Sequence, residues 1–545
     1  MVHKVAMYAL AAALCSGLFA GTQVIASSPD AVSAAIRSAL TAEPGASPAG
    51  ERPLEQVYAA RGYAGLWLRG QQLTSQGNQL LELLARAGDL GLDPADYDVE
   101  SLGAASRRLA SQPAPAQAAA VDLGLTASAL RYVHDAHFGR IDPKTVGFEL
   151  DVARAPFDAP SVVLGLSRSD SVAASAASIE PQFYHYALLK QALHAYRELA
   201  RSPPPLLDAL TRTVKEGDAY AQAPALRQLL ERLGDLPSSD GGSADALVFD
   251  ASLSEGVRRF QARHGLEVDG ALGRSTVEAL RTPLAQRVRQ IELTLERWRW
   301  VPEFSAPPLI VNIPQFRLFA FRSLQDRKAD ILQMDVIVGR AFPSAHTPVF
   351  MAQLSSVIFR PYWQVPQSIV RKEMIPKLMQ RPGYLDAEHL QIVARSDEVS
   401  PALAATPANI SALASGALKL RQSPGADNAL GLVKFSLPNP HDVYLHSTPT
   451  PALFSQPVRA FSHGCIRVSD PVALAVHVLR DTPGDWSAER VRGAMQGSRT
   501  LHVKLAHTIP VLILYGTALA TEDGKILFFR DIYGHDRKLA ALLHL

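Results

Sequence analysis

His446 closes a short apolar run, Val443-Tyr444-Leu445-His446, and Cys465 follows nineteen positions later in Ser462-His463-Gly464-Cys465. A thiol is the protein nucleophile most easily activated by a neighbouring imidazole, so the pair points to acyl transfer at a carbonyl, with Cys465 attacking and His446 taking its proton. Strand alternation would bury Val443 and Leu445 and turn Tyr444 and His446 to the opposite face. Gly464 permits a tight backbone and close approach of a substrate. The successive N–H groups around Gly464 and Cys465 would then form an oxyanion hole. Ile466 and Val468 anchor the following strand while Arg467 projects with the reactive face. Asp470-Pro471 reads as a helix start, with Asp at the N-cap and Pro in the first turn, continued by Val472, Ala475, Val478 and Leu479. Two other readings of the same residues exist. Cys465 is also the kind of residue that packs in a core, and His446, His463 and Cys465 are three potential zinc ligands without an evident fourth. His441, His477, His502 and His507 read as surface or core residues.

The cysteine count sharpens the first reading. The chain of 545 residues has two cysteines, Cys15 and Cys465, and the first falls in a segment built like a secretory signal. Lys4 gives a positive start, Val5 to Ala20 an apolar run, and Val24-Ile25-Ala26 a small-residue cleavage site. The run is short for a membrane span. Cleavage would leave one thiol and no internal disulfide, and an unpaired cysteine in an exported protein is a candidate reactive group. Retention as an anchor is the alternative. The formal charge of +2 lacks the basic excess of nucleic-acid binders, and 47% hydrophobic with 19% charged residues describes a globular chain.

Several elements must position these residues. After a Ser/Ala/Pro-rich tether (27–53), helical patterning runs from Val57, Tyr58, Trp67, Leu80 and Leu84, through a helix from Ala116 to His137, to another from Pro181 to Ala200 before Pro203-Pro204-Pro205. From Ala244 to Pro283 lies a compact unit with Leu253, Val257 and Phe260 on one helical face, Gly265 ending it and Asp269-Gly270 as a turn. A helix carrying Ile291, Leu295 and Trp298 follows. Its mixture Glu296-Arg297-Trp298-Arg299-Trp300 suits either Arg–Trp cation–π contacts or a packed linker. Short strands then take over at Leu309–Ile313, Gln315–Phe321, Met334–Gly339, Ser355–Phe359, Asp442–His446, Leu501–Leu505 and Val511–Tyr515, favouring a β-sandwich or rolled sheet. Residues 368 to 420 interrupt this set with helices and loops, the texture of a lid.

Two stretches carry family resemblances. LSEGVRRFQARHGLEVDGALGRSTVEAL resembles the small helical peptidoglycan-binding domain. The spacing from His446 to SHGC and Arg467 resembles the signature of the L,D-transpeptidase (YkuD-type) catalytic domain. ERWRW, RPYWQVPQSI, RQSPGADNALGLVKF and DIYGHD resemble its large periplasmic subclass. Arg360 and Gln364 stand where that subclass commonly has asparagines, and Ser447 where glycine is frequent.

The resemblance implies a multidomain α+β protein: an N-terminal α-helical scaffold, a small three-helix peptidoglycan-binding module, and a β-rich, β-sandwich-like catalytic domain with a helical and loop insertion. Its divisions are a signal (1–26), the tether, the scaffold (54–240), the peptidoglycan-binding-like module (244–283), a linker helix (284–306), the catalytic domain (307–517, with a capping insertion at about 368–422) and a C-terminal segment (518–545).

It also implies a metal-free, cofactor-free enzyme of the periplasm. Cys465 would open the peptide bond after the third residue of a tetrapeptide stem, D-Ala would leave, and the side-chain amine of a second stem would close a 3→3 cross-link. The third stem residue would be diaminopimelate. The Ser447 carbonyl would orient His446. Ser462, His463, Arg467, Tyr444, Trp363 and Tyr362 would meet the peptide, Arg467 through a stem carboxylate unless a structural ion pair holds it. Donor and acceptor peptidoglycan stems and cell-wall synthases are the expected partners. Water in place of the acceptor amine would make it an L,D-carboxypeptidase, and a decayed site would leave a non-catalytic wall-binding scaffold.

Overall fold

The computed structural model describes residues 29–41, 53–150, 156–237, 247–327, 330–381 and 383–545. The signal-like residues, Cys15 included, lie outside the described residues. Among those described, no helix is long and apolar enough to cross a membrane.

The helical scaffold is built around the helix Pro115–Phe138. Its buried Asp122 accepts the backbone N–H groups of Leu66 (2.9 Å), Trp67 (2.9 Å) and Leu68 (3.1 Å) and the Tyr58 hydroxyl (2.6 Å). One carboxylate thus pins the first apolar cluster, and burial with these bonds is what a lone acid needs to stay in a core. The expected tether is partly a docked helix, Pro29–Thr41. Val32 and Ile36, one turn apart, are buried against the scaffold, giving that segment an apolar stripe.

The small module begins earlier than its motif. Helices Ala223–Arg232, Ala251–Arg263 and Arg274–Leu280 share one core that reaches back to Leu207. The boundary expected near residue 240 therefore moves, because Leu226, Leu229 and Leu230 find their apolar partners in Leu253, Val257 and Phe260.

The linker helix Leu284–Arg299 is the hub of the molecule, with Ile291, Leu295 and Trp298 buried as their spacing predicts. Glu296, Arg297 and Arg299 are each only 1% exposed, and the arginines stack on Phe148, Tyr515 and Tyr186.

The β-rich part is one mixed sheet of nine strands: β1 (Leu309–Asn312), β2 (Arg317–Ala320), β3 (Leu332–Gly339), β4 (Phe350–Phe359), β5 (Val433–Ser436), β6 (Leu445–His446), β7 (Ala460–Ser462), β8 (Ile466–Val468) and β9 (Leu501–Leu514). Their order is β7-β3-β8-β6-β5-β4-β9-β1-β2, and an extra pairing of β2 with β3 rolls the sheet closed. Two strands read separately in the sequence, Leu501–Leu505 and Val511–Tyr515, are one long strand, β9. A register shift between Lys504 and Ile509 joins the two halves, and Pro510 then pairs in register with Gln353. The run from Asp442 shortens to two strand residues, since Asp442 itself has a positive φ of 54°. The insertion starts at Trp363, where a three-stranded sheet with its own core of Val365, Val370, Met374, Tyr384 and Leu413 forms the cap. The C-terminal hairpin and helix pack into the same core as the nine-stranded sheet, so the last residues belong to the same folded body.

Candidate active site

Three adjacent strands build the site. Antiparallel pairing of β5 with β6 sets Lys434 opposite His446, and parallel pairing of β6 with β8 sets His446 opposite Arg467. Val433, Phe435, Leu445, Ile466 and Val468 point into the core, so Lys434, Tyr444, His446 and Arg467 share the other face. Two residues before Arg467, Cys465 meets Tyr444, whose backbone N–H and hydroxyl both favour the thiolate.

The loop carrying Cys465 is held by its neighbours. Ser462 Oγ donates to the Cys465 carbonyl at 2.6 Å and accepts the Gly464 N–H at 3.1 Å. That second bond corrects the sequence reading of Gly464 as an oxyanion donor: its N–H is spent inside the loop. Gly464 instead supplies the conformation, with φ 121°. Its carbonyl accepts from Thr347 Oγ1 at 2.8 Å, and Tyr533 braces the same corner by donating to Gly339 O at 2.6 Å and accepting from Thr347 N at 3.3 Å. Asp470 caps the following helix through Ala473 N at 2.9 Å, as its sequence position predicts.

Cys465 is half-buried, and its thiol donates to the Asp442 carbonyl at 3.7 Å. Burial pushes the thiol up, and Tyr444 and Lys434 act against that rise. His446 is buried and its Nδ1 has no hydrogen-bond partner. Burial, with the Arg467 charge beside it, drives its pKa down to about 3, although the Ser447 and Leu430 carbonyls favour the protonated ring. No hydrogen bond joins thiol and imidazole in this state, but the ring is neutral and able to accept a proton.

The remaining expected residues divide. Ser447 Oγ accepts the N–H groups of Leu432 (2.8 Å) and Val433 (3.1 Å) and donates to Leu430 O at 3.1 Å, tying the entry of β5 to the end of β6. A side chain at Gly431, which has φ 63°, would collide with this hydroxyl. Trp363 reaches the Tyr444 hydroxyl from the cap and belongs to the site. Tyr362 lies under the Arg421 guanidinium, 4.8 Å from its ring centre, and nothing brings it to the thiol. His463 turns away from His446 and pairs with Glu373 of the cap at 2.7 Å. Among the described residues no three His, Cys, Asp or Glu side chains converge as metal ligands. Among the described residues Arg467 makes no ion pair, and its Nε is buried without a hydrogen-bond partner.

Sequence reasoning missed Lys434, Glu373, Thr347 and Tyr533. Only Lys434 left a local signal, a charge between two buried residues of a central strand. The others are brought in by tertiary contact.

Residues 308–486 match the family described as "L,D-transpeptidase catalytic domain". That segment, about a third of the chain, is similar to an L,D-transpeptidase catalytic domain. Residues 221–280 match a "Putative peptidoglycan binding domain" and residues 52–193 a "Scaffold domain". A Haemophilus influenzae protein described as "Putative L,D-transpeptidase" is 32% identical over 255 residues, 46% of this chain and 49% of that protein. The chain thus spans about half the length of that curated relative. The transpeptidase match stops before β9, yet β9 pairs with both β4 and β1, so the folded domain is larger than its recognisable segment.

Proposed function

We propose that the protein is a periplasmic peptidoglycan L,D-transpeptidase acting through a Cys465 thioester. The observation that carries this reading is the placement of the half-buried Cys465 thiol and a neutral His446 on one sheet face within the transpeptidase domain. Cys465 Sγ attacks the carbonyl of the peptide bond after the third residue of a donor tetrapeptide stem, and the thiol proton passes to His446. With Gly464 N–H engaged, the Cys465 N–H is the loop's donor to the oxyanion. Collapse of the tetrahedral intermediate breaks the C–N bond, and D-Ala leaves with the proton from the imidazolium. The side-chain amine of an acceptor stem then attacks the thioester. A 3→3 cross-link forms and the thiol is restored.

Incubation of the purified protein with tetrapeptide muropeptides tests the reaction. Cross-linked dimers and released D-Ala are expected, whereas tripeptides without dimers would make the protein a carboxypeptidase. A carbapenem should add one drug mass at Cys465. Absence of that adduct in folded protein would remove the nucleophile assignment.

A further inference from the structure

Lys434 stands out among the charged residues of the site. It lies in the middle of the sheet between buried Val433 and Phe435, and its ammonium sits 4.0 Å from the centre of the Tyr444 ring. Among the described residues no carboxylate lies within ion-pair distance of it, although the more distant Asp442 also favours its charged form. The sheet register sets it directly across from His446, and the Tyr444 ring it covers lies 5.8 Å from the imidazole. A half-buried ammonium with no carboxylate partner is costly to keep, and this one is stacked on the tyrosine that also contacts Cys465.

We propose that Lys434 is the charge partner of the nucleophile: its ammonium, held on the Tyr444 ring, stabilises the Cys465 thiolate. The inference rests on Cys465 being the reactive group, and it divides labour that the thiol–imidazole pair is usually asked to do alone. A buried ring flanked by Arg467 and Lys434 resists becoming a cation, and its pKa of about 3 reflects that. His446 therefore relays the proton, and a permanent cation must hold the negative sulfur. The same burial lowers the Lys434 ammonium, while the sulfur's charge raises it, the reciprocal sign expected of a coupled pair.

Other groups face the thiol as well. Asp442, from the loop before β6, opposes the thiolate, and Tyr444 supports it. Arg467 feels both the sulfur and Arg340. The His463–Glu373 pair sits at the cap side. Of the cations, only Lys434 is seated on the tyrosine that contacts the sulfur.

The test is the rate of Cys465 alkylation by iodoacetamide in the full chain, from pH 6 to the alkaline plateau, for wild type, Lys434→Met and Lys434→Arg. Circular dichroism and a thermal melt would show that each variant is folded. Removing the charge should raise the thiol midpoint by about one pH unit, so alkylation below the midpoint falls about tenfold in Lys434→Met. Lys434→Arg should keep most of the wild-type rate. Equal rates in wild type and Lys434→Met would overturn the proposal, as would an equal loss in both variants, which would indicate packing rather than charge. The readout needs no peptidoglycan. A shifted alkylation profile in a protein that makes no cross-links would discard the proposed reaction and leave the charge partnership standing.

Discussion

The hub helix and the catalytic face hold the same kinds of charged residue and treat them in opposite ways. In the hub, Glu296 accepts the N–H groups of Arg140 (2.5 Å) and Ile141 (3.0 Å) and pairs with Arg299 at 3.1 Å. Arg299 also bonds the Tyr186 hydroxyl and the Leu90 carbonyl. Arg297 pairs with Asp536 at 2.5 Å and lies beside the Phe148 and Tyr515 rings, while its Nε and Nη2 are buried without hydrogen-bond partners. These bonds tie the scaffold, the linker and the C-terminal helix together. On the catalytic face Arg467 Nε and His446 Nδ1 are buried without partners, and Lys434 has a ring where a carboxylate would serve. The hub arginines are each paired with a carboxylate, although two Arg297 nitrogens lack hydrogen bonds. Among the described residues, Lys434 and Arg467 have no carboxylate within ion-pair distance.

Substitutions sharpen or break this contrast, the most severe first. Cys465→Ala should abolish cross-linking and carbapenem adduct formation while leaving the melting temperature within about 2 °C. Retained activity would end the assignment. His446→Gln should lower the transfer rate by about a hundredfold or more, the usual share of a general base. Arg299→Met should cost about 3–5 kcal/mol in denaturant unfolding, because Glu296 would be left charged and buried. A loss below about 1 kcal/mol would mean the hub is not fastened by its ions. Glu373→Gln should change stability by less than about 1 kcal/mol, since the half-exposed pair with His463 is of the surface kind.

Acidity provides a further check, spread over the whole core. Burial holds His446 near 3 and His185, His477 and His535 near 4, against an ordinary value of 6.5. These rings are neutral when folded and gain protons when unfolded. Their contribution is full above about pH 6.5 and is lost as the pH falls toward 4. A melting temperature that stays flat from pH 7 to 4 would contradict it.

The neighbouring placement of Cys465 and the strand of His446, and the helix cap at Asp470, were legible because each has a local signature: a spacing, an alternation, a cap followed by proline. The strand at Asp442 was overread, since a positive φ is not written in the residue type. The two strands read at Leu501–Leu505 and Val511–Tyr515 are one because an irregular stretch between Lys504 and Ile509 carries the pairing across. The bond from Gly464 N to Ser462 Oγ was invisible because it depends on a rotamer. Glu373, Thr347 and Tyr533 lie far along the chain from Cys465, and only the closed fold relates them. The peptidoglycan-binding motif located its module but not where the module's core begins.

The brace supplied by Tyr533 has a consequence for the order of assembly. The corner that shapes the thiol's loop is closed by a hydroxyl made well after Cys465 itself. The loop around the thiol therefore takes its final shape only once the C-terminal stretch has docked.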